Sequence, residues 1–369
     1  MRRALVAALA AVALPTAAVI TGCGSSGGSH SAGPAAPPSV ITKQQAEQVL
    51  SQFTAENNRS NSLRDPSFLA SYEAGSSYQL DQGSYRWTKT TDPSNKNYTA
   101  ISYLNPVFYV PQQRAYPAWF VVRSWQQNTK KQGSGPAGGY GYMVFTRSSA
   151  SAKWMEVLEP DVVGSSARLP QIATDANGFA EPVTAANAGQ LAATPGKLPS
   201  QDVSYLNYGT YQKTDQQLEK EYELTHPGYK PKVPSRPQPF ANGQANLVDV
   251  HDLSFWRKNL PQGSTESELY ATTSDPVYAL RTTNGGALVF YDLTSTLTLG
   301  APYGGSMGML TIGFAGFLNG KEKPQASFQL NYGDQFAAYE PPGKPARPTV
   351  VADNSGPVSV ECGGGPCGQ

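Results

Sequence analysis

Three segments between residues 118 and 158 place bulky side chains on a two-residue period, and that period governs what the chain can build. Ala118-Trp-Phe-Val-Val-Arg-Ser-Trp125, Gly141-Tyr-Met-Val-Phe-Thr-Arg147 and Lys153-Trp-Met-Glu-Val-Leu158 are rich in β-branched and aromatic residues. Such runs suit pleated, half-buried strands. A Gly/Ser/Pro-rich stretch, 131–139, joins the first two as an exposed loop. Upstream the spacing is helical. Thr42-Lys43-Gln44-Gln45 matches a capping box, and Ala46, Val49, Leu50 and Phe53 then share one face, so a helix is expected over 43–57. Phe68, Leu69 and Tyr72 place a second, short helix at 65–73.

The second half repeats this order. Residues 201–225, rich in Gln, Glu and Lys, read as helical, with Gly209 weakening the middle. A Pro-rich crossing follows from Pro227 to Pro239, which cannot be regular structure. Pro276-Val-Tyr-Ala-Leu-Arg281 and Leu288-Val-Phe-Tyr291 then echo Pro117-Ala-Trp-Phe-Val-Val-Arg123 and Tyr142-Met-Val-Phe145, and Gln325-Ala-Ser-Phe-Gln-Leu-Asn331 supplies a further strand. The expected fold is α+β, with two tandem modules, each a helix packed on a curved antiparallel sheet. They would span 41–185 and 186–343, followed by an extended Gly/Pro-rich tail over 344–369. One continuous β-rich domain is the alternative.

The first residues bear on location. Arg2 and Arg3 precede an uncharged Ala/Val/Leu-rich run from Ala4 to Ile20, followed by Thr21-Gly22-Cys23. A basic start, a short apolar core and small residues before a cut describe a signal peptide over 1–22. The run is shorter than the ~20 residues a spanning helix needs. A cysteine directly after the small residues marks a lipoprotein signal, so Cys23 is the expected lipidation site. Two or three acyl chains, palmitate-type, suffice for stable anchoring where one would be marginal. Residues 23–40 then form a flexible Gly/Ser/Pro tether.

Charged residues make up 15% of the chain and the net charge is +1, so no basic footprint for nucleic acid is present. Apart from Cys23, the cysteines are Cys362 and Cys367, four residues apart across Gly-Gly-Gly-Pro. In an extracytoplasmic compartment that pair is read as a disulfide. A metal site would need two more soft ligands nearby in sequence, and none is present.

Catalytic patterns fare poorly. Ser306 in Gly304-Gly-Ser-Met-Gly308 matches the nucleophile elbow G-x-S-x-G, but His30, His226 and His251 all precede it, whereas that elbow requires the histidine to follow. A His251, Asp292, Ser306 order lacks any oxyanion-hole signature. Asp249-Val-His251-Asp252 reads as a helix cap rather than a zinc site. Paired carboxylates meet only in space, and no strand-end acid stands out in an apolar frame. No phosphate loop or dinucleotide fingerprint is present. Trp119, Trp125, Trp154, Tyr140, Tyr142, Tyr278 and Tyr291 are candidates for a ligand surface, though cross-strand packing is the simpler role. Asn58 and Asn97 head glycosylation sequons that carry little meaning behind a bacterial signal.

The Arg-Arg-Ala-Leu-Val-Ala-Ala-Leu-Ala start, the residues around Cys23, the Gly/Ser tether and the Pro-led strands together resemble lipoproteins of high-GC Gram-positive actinobacteria. The resemblance implies an exported protein held on the outer face of the cytoplasmic membrane. It also suggests NTF2-like or cystatin-like modules, whose cones and grooves serve binding, and it carries over no catalytic residue. The expected function is non-enzymatic: binding an envelope protein or a small apolar ligand, with no cofactor, no metal and no nucleic acid. A hydrolase of envelope polymers and a structural role in a larger envelope assembly are the rivals.

Overall fold

A computed structural model describes residues 39–128, 138–163, 169–183, 264–301, 305–306, 314–318, 326–342, 348–362 and 365–366. The first helix, α1 (Lys43–Leu63), begins at the expected capping box. Thr42 Oγ1 accepts from the Gln45 amide at 3.2 Å, and Gln45 Oε1 accepts from the Thr42 amide at 2.8 Å. The helix ends where Arg64 turns left-handed at φ 48°. Its buried face is Ala46, Leu50, Phe53, Asn57 and Ser60. Replacing Thr42 with Ala leaves first-turn amides without an acceptor and should cost about 1 kcal/mol in chemical denaturation, where such caps contribute 0.5–2 kcal/mol.

Residues 65–73 form only a single 3₁₀ turn, Leu69–Ser71. The second true helix is α2 (Gly75–Thr91), which buries Ser76, Ser77, Leu80, Gly83 and Tyr85. Small and polar residues dominate that face, so no apolar period announces it in the sequence.

The strands are β1 (Ile101–Tyr109), β2 (Ala118–Asn128), β3 (Gly138–Arg147), β4 (Met155–Leu158), β5 (Asp161–Val162), β6 (Thr265–Thr272), β7 (Tyr278–Arg281), β8 (Ala287–Gly300), β9 (Ser327–Glu340), β10 (Thr349–Cys362) and β11 (Gly365–Pro366). They form one antiparallel sheet in the order β1-β2-β3-β5-β10-β9-β8-β6, with β4 beside β3, β7 beside β8 and β11 beside β10. Edge strand β1 escapes a sequence reading because Asn105-Pro106 interrupts it. The register shifts there, between Leu104 and Val107, and Asn105 takes φ 49°, the bulge by which an edge strand tolerates proline.

This architecture corrects the two-module expectation, and with it the tandem NTF2-like or cystatin-like arrangement. Among the described residues strand outweighs helix, at 44% against 22%, and both of their α-helices precede the sheet instead of leading separate halves. Two residues make the join: Asp161 pairs with Gly141 of β3 and with Asp353 of β10, and Val162 pairs with Ala352. Ser39–Gln369 is accordingly one compact unit. Val121, Tyr142 and Val144 from β2–β3 share a core with Leu280, Leu288 and Phe290 from β7–β8 and with Ala337 and Ala352. Two half-sheets that bury the same core cannot act as separate modules. The 344–369 segment contributes β10, a fourteen-residue strand in the interior of the sheet. The helix expected at 201–225 lies outside the described residues, as does the 131–137 loop.

The aromatics take packing roles. Trp125 and Tyr140 are directly cross-strand at 5.1 Å, Tyr142 meets Phe290 at 5.3 Å, and Tyr291 meets Phe336 at 5.4 Å. Trp154 packs edge-on to Phe120 at 5.1 Å, and Trp119 meets Tyr278 at 5.2 Å.

Candidate functional site: an apolar cleft with a carboxyl pair

The loop before β7 and the entry to α2 meet across β4. Together they enclose a cleft of about 440 Å³, within the size range of small-molecule sites. Its walls include Pro117, Met155, Val157, Leu158, Pro276 and Tyr278, and Asp275 and Asp292 also open onto it. Asp292 is 5% exposed, on β8 opposite Gln335. Thr273 ties the acids together: its hydroxyl donates to Asp292 Oδ1 at 2.9 Å and accepts from the Asp275 amide at 3.2 Å. Burial, followed by the charge of Asp275, pushes Asp292 up to about 6. This is the ordinary response of two carboxyls crowded into one partly dry site.

Asp275 owes its position to a glycine. Gly75 opens α2 at φ +59°, and a β-carbon there would stand 3.1 Å from Asp275 Oδ2. The carboxylate therefore lies against the start of a helix whose N-cap, Ala74, offers no side-chain hydrogen bond. The partial positive charge of that helix end favours an anion. Lys153, exposed, lines this cleft and also a neighbouring groove of about 230 Å³ that includes Arg147, Glu56 and Trp154.

A second acidic group lies beneath α2, and it is closed. The Ala74 amide donates to the Glu156 carbonyl at 2.9 Å and the Glu156 amide donates to the Tyr72 carbonyl at 2.8 Å. This bridge sets Glu73, 4% exposed, beside Glu156, 1% exposed. Ser77 donates to Glu156 Oε1 at 3.1 Å, while Tyr103 and Gln126 donate to Glu159 Oε1 at 2.9 and 3.2 Å. Gln335, fully buried, joins the pieces: its Oε1 accepts from the Glu159 amide at 2.8 Å and its Nε2 donates to the hydroxyls of Ser76 and Ser77.

The charges acting on these acids are other carboxylates, and the hydrogen bonds from Ser77 and Tyr103 offset only part of the cost of burial. Desolvation pushes Glu73 and Glu156 well above the usual carboxylate range, Glu159 to about 8 and Asp81 to about 6. Among the described residues no three His, Cys, Asp or Glu side chains converge as metal ligands. The group is a set of buried carboxyls, raised in pKa by desolvation, that packs between α2 and the sheet.

Of the residues singled out from sequence, Asp292 enters the cleft, with Asp275 as its neighbour. Ser306 is exposed and outside any strand or helix. Cys23, His30, His226, Asp249, His251, Asp252 and Cys367 lie outside the described residues. Asp275 and the acids beneath α2 were missed, and Asp292 enters the sequence reading only as the acid of the His251, Asp292, Ser306 order. Their signal was there, because Glu156 sits in Met-Glu-Val-Leu and Asp292 in Val-Phe-Tyr-Asp-Leu, acids in apolar frames that burial would make costly.

Residues 37–356 match the model of a family described as a domain of unknown function, DUF8094. The chain is 27% identical over 256 residues to an uncharacterized lipoprotein of Streptomyces avermitilis, covering 68% of this chain and 64% of the relative. It is 27% identical over 259 residues to an uncharacterized lipoprotein of Streptomyces coelicolor, covering 68% and 65%. A second lipoprotein of that organism is 25% identical over 290 residues, covering 76% and 73%. The chain thus spans just under two thirds of the length of the first two relatives. No solved structure matches it. The resemblance to actinobacterial lipoproteins read from the N-terminus holds, and since the family match takes in both helices and ten of the eleven strands, reaching well into β10, the chain belongs to the DUF8094 family.

Proposed function

We propose that this protein is an exported lipoprotein, anchored through acyl chains on Cys23 at the outer face of the membrane, whose body binds a small ligand in the cleft between β4 and β7–β8. Three things support the anchor: the leader ending at Cys23, the tether behind it and the names of the relatives. Among the described residues no helix is long and apolar enough to cross a membrane. The Cys23→Ser chain should appear in the medium or as uncleaved precursor. Unchanged recovery in the detergent phase would contradict the anchor. A Cys362–Cys367 disulfide belongs to the same reading, and the pairing of Gly365 of β11 with Cys362 of β10, two residues short of Cys367, supports it.

The observation that carries the binding role is the cleft itself, apolar-walled with two carboxyls. Sites of that build orient a ligand with few polar groups and hold it by apolar contact. Protein purified from membranes should release a defined small compound on denaturation, detected by mass spectrometry. Met155→Trp, which fills the cleft, should lose that compound; equal recovery from both proteins would reject the reading. The Asp275–Asp292 pair also favours a second reading, acid–base hydrolysis of envelope polymers, since a carboxyl near 6 with a second carboxyl beside it suits proton transfer. Turnover of peptidoglycan or arabinogalactan fragments that disappears in Asp275→Asn would select it.

A further inference from the structure

We infer that the cleft selects an organic ammonium, a ligand with a protonated amine on an apolar body. This rests on the ligand-binding reading above and specifies its chemistry. The walls accept hydrocarbon: Pro117, Met155, Val157, Leu158 and Pro276 present no charge. Two carboxyls, held by Thr273, share the polar part with Thr146, Ser148 and Lys153, with Asp292 buried and Asp275 exposed. Among the described residues the one cation lining the cleft, Lys153, is exposed, so at neutral pH the cleft keeps negative charge. An ammonium offers three donors, enough to serve both carboxyls at once. Such charge-assisted bonds are the strong ones, more so where apolar walls exclude water.

The alternatives fit less well. A hard metal ion wants six or more oxygens, and no metal-ligand group exists among the described residues. A neutral alcohol has one proton to donate and would leave the second carboxyl unserved. An anionic ligand would meet two like charges. The constellation therefore discriminates by charge at the head group, while the walls tolerate variety in the body.

The probes are benzylammonium, benzyl alcohol and benzoate, similar in shape and different in charge. Each is titrated calorimetrically into the full chain in lipid nanodiscs, with empty nanodiscs subtracted. Benzylammonium should bind at least tenfold tighter than benzyl alcohol, and benzoate should not bind. Asp275→Asn and Asp292→Asn should each reduce the preference for ammonium over alcohol to threefold or less. Because Asp292 is buried, Asp275→Asn at the exposed position carries the test if the other variant fails to fold. Equal binding of alcohol and ammonium, or a preference surviving both substitutions, overturns the charge selection and leaves the cleft a binding site. If neither compound binds, the ligand-binding reading fails as well.

Discussion

Raising the pH from 5 to 8 should lower the melting temperature of this protein. Asp81 and Asp334 stand near 6 and Glu159 near 8, and Glu73 and Glu156 lie well above the usual carboxylate range, all raised chiefly by burial. In the unfolded chain the same groups titrate near 4. Between those values the folded state holds more protons than the unfolded state, so stability falls as pH rises. The contribution is fully present below about pH 4 and is lost through 6 to 8 as each buried carboxyl is forced to ionise. Asp65 and Asp92 shift downward, but they act in the more acidic range.

A displacement of two units amounts to about 3 kcal/mol per group. With 1 kcal/mol moving the midpoint of a 150–250-residue domain by about 2–4 °C, a decrease of about 10 °C between pH 5 and 8 is expected. Scanning calorimetry in buffers of matched ionic strength measures it. Glu156→Gln, neutral at every pH and still able to meet Ser77, should flatten the profile and melt higher than the parent at pH 8. A melting temperature that rises steadily from pH 5 to 8 would refute the account of the network beneath α2.

Gly83→Ala should unfold the protein or cost at least about 3 kcal/mol, the class of penalty overpacking brings. The β-carbon would fall 2.0 Å from the carbonyl oxygen of Pro357, on β10. Backbone on both sides forms the contact, so no flexible side chain can swing away, and α2 must rise off the sheet. The movement would strain Leu80, which lies over Gly333 and Gly356, and the Ser76 and Ser77 bonds to Gln335. Gly139→Ala is the control: its β-carbon would meet nothing within 4 Å, and its denaturation midpoint should match the parent. Equal midpoints for the two variants would mean that α2 is not packed as described.

Local chemistry was legible wherever it was self-contained. The Thr42–Gln45 box needs four residues and nothing else, and it starts α1 where expected. The alternating runs at 118–125 and 141–147 require only a two-residue period, and both are strands. Helix α2 escaped because it docks through Ser76, Ser77 and Gly83, residues chosen for closeness of approach rather than for apolarity. Strand β10 escaped because glycine and proline at 356–357 read as a breaker, yet they let α2 pass within contact of the backbone.

By itself the sequence determined the strand period and the first helix with its cap, because each depends on neighbours a few positions apart. Only tertiary structure decided that the halves share one sheet, since a two-residue strand, Asp161–Val162, makes the join. It alone brought Asp275 to Asp292 and Glu73 to Glu156, seventeen and eighty-three positions apart. Burial and charge act through space, and the pKa of a carboxyl depends on what surrounds it in the fold rather than on what flanks it in the chain.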